Sequence, residues 1–95
     1  MKTLMNWLLV GTGDIARKRV APALAGAESS RIAAMCDTDT AKASLLAREY
    51  GVGKVFADYD KALEDDEVNA VYIATPVALH VPMAIRAMNA KKHVL

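Results

Sequence analysis

One cysteine, Cys36, stands in the 95-residue sequence, so no disulfide forms within the chain, and a lone thiol suits a reducing compartment, the cytoplasm. Neither sign of charge dominates. Lys+Arg 12 against Asp+Glu 11 leaves +1, and no basic block offers nucleic acid its phosphate contacts. No apolar run approaches the length of a membrane span. The short one in MKTLMNWLLVGTG leads into Gly11 and Gly13 without a cleavage-like site, and reads as a strand rather than a leader. Repeats, low-complexity stretches and linkers are missing. So are nucleophile–base pairs and clusters with metal-ligand spacing; the acidic run at 64–67 reads as a solvated loop.

What is present is a regular alternation. Hydrophobic residues make up 54% and charged ones 24%, the balance of a globular chain with one modest core. Short apolar runs at 5–10, 32–36, 54–56, 70–74 and 93–95 read as strands. Between them lie helical patterns. Ala16, Val20 and Leu24 space the first, with Pro22 inside it as a kink or an interruption of the hydrogen bonding. Thr38 or Asp39 caps the second, whose apolar positions are Ala41, Leu45, Leu46 and Tyr50 and whose stop is Gly51. Asp58 caps a third that turns Tyr59, Ala62 and Leu63 inward. Pro82 fits the first turn of a fourth, with Val81, Ala84, Ile85 and Met88 expected on its buried face. Apolar strands separated by helices predict an α/β fold. It is a doubly wound parallel sheet of the Rossmann type, in strand order 3-2-1-4-5, cut off before or within strand five.

In such a sheet the ligand lies outside the carboxyl end of strand one, where GTGDIA stands. Gly11 allows the tight strand-to-helix turn, and Gly13 lets a pyrophosphate approach the backbone. Ala16 is small enough for the helix to pack closely on the sheet. The amides of Gly13, Asp14 and Ile15 would face the phosphates, aided by the helix dipole. Asp14 contributes only its amide, its carboxylate turned to solvent or supporting the helix start. Asp37 ends the second strand, 24 residues after Gly13, where an acid accepts the hydroxyl protons of an adenosine ribose. It can also cap the next helix. A 2′-phosphate meeting that acid at 4 Å costs about 4 kcal/mol at an effective dielectric near 20. No arginine follows Asp37 directly to offset it, so the expected cofactor is NAD rather than NADP.

GTGDIA, CDTDTAKASLLAREYGV and VYIATPVALHVPMAIRAMNAKKHVL together resemble the N-terminal domain of the Gfo/Idh/MocA oxidoreductases, over essentially all 95 residues. The resemblance implies a dinucleotide-binding domain over 1–95, with a substrate domain that this chain does not include and that often makes oligomer contacts. It implies hydride transfer between a nicotinamide and a carbinol carbon of a sugar, polyol or related compound. Gly11, Thr12, Gly13, Asp14 and Ile15 match the pyrophosphate loop, and Asp37 the ribose acid. Ala74, Thr75 and Pro76 match the turn beneath the nicotinamide.

His80 matches a histidine after that turn, which implies a cofactor contact; read alone, it is a helix-start histidine satisfied by backbone. His93 reads as a structural residue on a buried strand, and Cys36 as a packed side chain. Val77 departs from the usual asparagine or small polar residue, and Lys91 from the glycine usual before KHV. The family's Glu-Lys-Pro, whose lysine polarises the reacting group, would follow KHVL, so no residue here is expected to be catalytic and the chain alone is expected to be inert. A non-catalytic sensor or regulatory module that binds the same dinucleotide is the second reading.

Overall fold

A computed structural model describes residues 4–95. Three residues of the apolar N-terminal stretch, 1–3, lie outside it. Five parallel strands form one sheet in the order β3-β2-β1-β4-β5, as the apolar runs predict. They are β1 (Met5–Val10), β2 (Ser30–Cys36), β3 (Val55–Phe56), β4 (Ala70–Ile73) and β5 (His93–Val94). β1 is central and alternates sides: Leu8 and Val10 join one core, Trp7 and Leu9 the other. A register shift opposite Trp7 and Leu8 pairs Leu8 with Ala34 and skips Ala33. Leu8, Leu9, Met35, Val68 and Val71 are almost wholly buried, each contributing roughly 1.5–3 kcal/mol of transfer free energy.

Helices cover both faces. A π-helical turn, Ala16–Val20, runs into α1 (Ala21–Gly26), which packs with α2 (Thr40–Glu49) against Trp7, Leu9 and Met35. The π turn is the interruption that Pro22 demands: Ala21 N–H reaches back five residues to Ala16 O, just where a proline enters the helix without an N–H of its own. On the other face, α3 (Tyr59–Leu63) and α4 (His80–Asn89) cover Leu8, Val10 and Val71. Asp39 caps α2, its carboxylate accepting from Lys42 N, and Asp58 caps α3 in the same way.

Two helix faces differ from the sequence expectation. In α2 the buried stripe is Ala43, Leu46 and Ala47 with half-buried Tyr50, whereas Ala41 is exposed and Leu45 is 67% exposed. Starting the helix at Asp39 sets that phase, since 43, 46, 47 and 50 follow i, i+3, i+4, i+7. In α4 the inward residues are Met83, Ala84 and Ala87. Val81, Ile85 and Met88 point outward, 69%, 48% and 58% exposed. His93 is also exposed rather than buried, because β5 is the edge strand.

Candidate functional site

The carboxyl ends of β1, β2 and β4 open into a cleft of about 430 Å³. Gly11, Thr12, Gly13, Asp37, Ala74, Thr75 and Pro76 all line it, although they come from three separate stretches of sequence. The parallel sheet brings them together: Gly11 N–H donates to Cys36 O (2.8 Å), and Ala74 N–H to Val10 O (2.8 Å).

Gly11 has φ +93, a left-handed conformation that L side chains rarely adopt. A Cβ there would stand 2.9 Å from the carbonyl carbon and oxygen of Ala74. Gly13 is different. A Cβ on it would meet nothing within 4 Å and would project into open space. Nothing in the protein packs against that side of the glycine. Among the described residues neither Gly13 nor Asp14 donates a backbone hydrogen bond, so both amides are available to an anion at the start of the helix.

Asp14 and Ile15 lie at the mouth rather than in the cleft. The Asp14 carboxylate is 80% exposed and pairs with Arg17 at 3.5 Å, so it faces solvent. Both residues border a neighbouring surface groove with Lys18 and Arg19. Ala16, only 1% exposed, packs against the sheet core.

Asp37 is held by three donors. Thr12 gives both its backbone N–H (2.9 Å) and its hydroxyl (2.7 Å) to Oδ2, and Asp39 N–H gives to Oδ1 (2.9 Å). Burial pushes the Asp37 carboxyl up, but these bonds and the Lys42 charge together hold it below the ordinary carboxylate range. The side chain is therefore an anion, an acceptor for hydroxyl protons. Its bond to Asp39 N–H holds the residue before α2, while the cap itself is Asp39 rather than Asp37.

His80 stands apart. Its Nε2 lies 2.6 Å from Thr75 O, and since a carbonyl only accepts, that nitrogen donates. The ring borders a small pocket with Tyr72, Ile73, Ala84, Val94 and Leu95, not the main cleft. Its nearest task is to latch the turn that carries Thr75 and Pro76.

Sequence reasoning missed Lys42, Tyr59 and Met83 on the cleft wall. Tyr59 donates its hydroxyl to Met83 O (2.8 Å), and Thr75 its hydroxyl to Met83 Sδ (3.4 Å), which ties α3 and α4 to the turn after β4. Lys42 was legible in principle, three residues after the capping Asp39 on the first turn of α2. Cys36 also borders the cleft. Burial first, then Asp37 and Asp58, push its thiol up to about 11, which makes it a neutral packed group. No group of three or more metal-ligating side chains occurs among the described residues, and none of their helices is long and apolar enough to cross a membrane.

A family model described as an oxidoreductase family with an NAD-binding Rossmann fold matches residues 5–95. An uncharacterized oxidoreductase of Rhizobium meliloti is 40% identical over 92 residues, 97% of this chain and 28% of that protein. A 3-ketoreductase from Actinomadura kijaniata, solved with NADP and TDP-benzene, superposes with a TM-score of 0.91 at 32% identity, over 98% of this chain and 28% of its own. A scyllo-inositol dehydrogenase from Lactobacillus casei, solved with NAD(H) and scyllo-inositol, superposes at 0.88 with 28% identity, over 97% and 27%. The chain thus spans less than a third of the length of each.

Proposed function

The chain belongs to the Gfo/Idh/MocA family of oxidoreductases, and from that premise we propose that residues 1–95 are the dinucleotide-binding domain of an NAD-dependent dehydrogenase or reductase. The reaction is hydride transfer to or from a carbinol carbon of a sugar, polyol or related compound. One observation carries the cofactor reading. On one cleft at the carboxyl ends of the strands, a glycine with free space where its Cβ would be and an undirected amide meets an ionised acid, with the undirected Asp14 amide at the mouth.

Each residue has a part. Gly13, Asp14 and Ile15 present amides to the pyrophosphate, Gly11 shapes the turn, and Thr12 supports Asp37. Asp37 accepts from the adenosine ribose and disfavours a 2′-phosphate, so NAD binds in preference to NADP. Ala74, Thr75 and Pro76 form the floor beneath the nicotinamide, and His80 holds that floor through Thr75 O. When bound, the nicotinamide supplies the hydride chemistry. The groups that polarise the substrate and exclude water belong to a substrate domain, which also offers surfaces for self-association. The setting is the cytoplasm, in keeping with a single cysteine.

Titrating the isotope-labelled chain with NADH, followed by amide chemical shifts, tests the site. Shifts concentrated at Gly13, Asp14, Ile15 and Asp37 are expected. Binding that leaves those amides unmoved would overturn the assignment. A sensor module would bind alike but show no sugar- or polyol-dependent change in nicotinamide absorbance in the protein carrying its substrate domain.

A further inference from the structure

We propose that Thr12 is the positioning residue for Asp37, a clamp built into the glycine loop that fixes the orientation of the carboxylate before any ligand arrives. Thr12 is the one buried polar residue among those described, 2% exposed. Both of its donors converge on a single oxygen, Oδ2, from backbone and side chain at once. Turning the carboxylate requires breaking both bonds, while Asp39 N–H holds Oδ1 from the other side. Three of roughly four acceptor sites are thereby committed to the protein. The remaining edge is left to the cleft that Asp37 lines.

The consequence for function rests on the cofactor reading above. Asp37 sits 25 residues beyond Thr12 on a different strand end, so the clamp makes the pyrophosphate loop and the ribose acceptor one rigid unit. An acceptor already aimed loses less freedom on binding. Other charged and titratable groups surround the pair. Lys42 of α2 favours the anion, and Asp39 lies beside it. Cys36 of β2 and Tyr59 of α3 stay neutral, pushed up to about 11 and about 12, chiefly by burial. Asp58, which caps α3, acts on Cys36, and Asp14 and Arg17 pair with each other at the loop's outer side. Thr12→Val removes the hydroxyl by an isosteric change and touches none of these other groups.

The test is a carbon-detected titration of the Asp37 carboxyl, with NADH affinity measured across the same pH range, in wild type, Thr12→Val and Thr12→Ser. Thr12→Val raises the Asp37 midpoint by about one pH unit and weakens NADH binding roughly tenfold, moving its acid limb upward. Thr12→Ser, which keeps the donor, stays within about twofold of wild type. An unmoved Asp37 midpoint in Thr12→Val overturns the proposal. Should that variant not fold, the wild-type chain decides: the Thr12 amide proton follows the Asp37 midpoint if the clamp exists, and is indifferent to it if not. A raised midpoint in a folded chain that binds no dinucleotide supports the clamp and ends the cofactor reading.

Discussion

Gly11 and Ala74 touch across the top of β1 and β4 so closely that a Cβ on residue 11 would fall 2.9 Å from two backbone atoms of Ala74. Backbone cannot swing aside as a long side chain can, and the φ of +93 adds strain for any L residue. Gly11→Ala is expected to lose roughly 2–4 kcal/mol of stability. Gly13→Ala, with nothing in its way, should stay within about 1 kcal/mol of wild type yet lose at least about tenfold in NADH affinity. Urea unfolding and a binding titration on both variants separate the fold's glycine from the ligand's.

Lys91 occupies a position that favours glycine. It follows α4 with φ +64; its own N–H bonds Met88 O (2.9 Å), and Lys92 N–H bonds Ala87 O (3.0 Å). Gly51 closes α2 with the same two-bond pattern, through Arg48 O and Ala47 O. Lys91→Gly should raise stability by about 1 kcal/mol by relieving the left-handed strain, read as a higher urea midpoint. A lowered midpoint would show that the Lys91 side chain contributes more than its backbone costs.

Among the described residues Lys42 is the one cation on the cleft wall, close enough to Asp37 to favour its charge. On the proposed reading it would oppose the repulsion of a 2′-phosphate by Asp37. Lys42→Ala is therefore expected to weaken NADPH roughly threefold more than NADH, with the difference fading at high salt. Equal losses for the two cofactors would remove Lys42 from the selectivity argument.

Cys36 gives a pH prediction of definite sign. Its folded value, about 11, lies above the ordinary 9.0, so folding favours the neutral thiol. That contribution is fully present below pH 9 and is lost as pH rises through about 11. At pH 8 the thiolate fraction is roughly a hundredfold below that of an unperturbed cysteine, and iodoacetamide labelling should be slower by a similar factor. Labelling at the rate of a free thiol would mean that the cleft wall opens readily.

The strands and their order were legible because β1, β2 and β4 are buried on both faces and so appear as nearly unbroken apolar runs. The helix faces were less so. α4 carries apolar residues around much of its circumference, so spacing alone could not choose Met83, Ala84 and Ala87 over Val81, Ile85 and Met88. The glycines and Asp37 were visible as residue types at a known interval. The Thr12 hydroxyl on Asp37 was not, because it joins residues 25 apart through a register that only the folded sheet sets. Val77, noted as a departure in the turn, lies 82% exposed and outside the cleft lining.

We propose that the cleft is a dinucleotide site whose selector is Asp37. Isothermal titration of the wild-type chain and Asp37→Ala with NADH and with NADPH tests it most directly. Tighter binding of NADH than NADPH by wild type, with the gap closed in Asp37→Ala, is the predicted result. A folded wild-type chain that binds neither, or a gap that survives in Asp37→Ala, would contradict it.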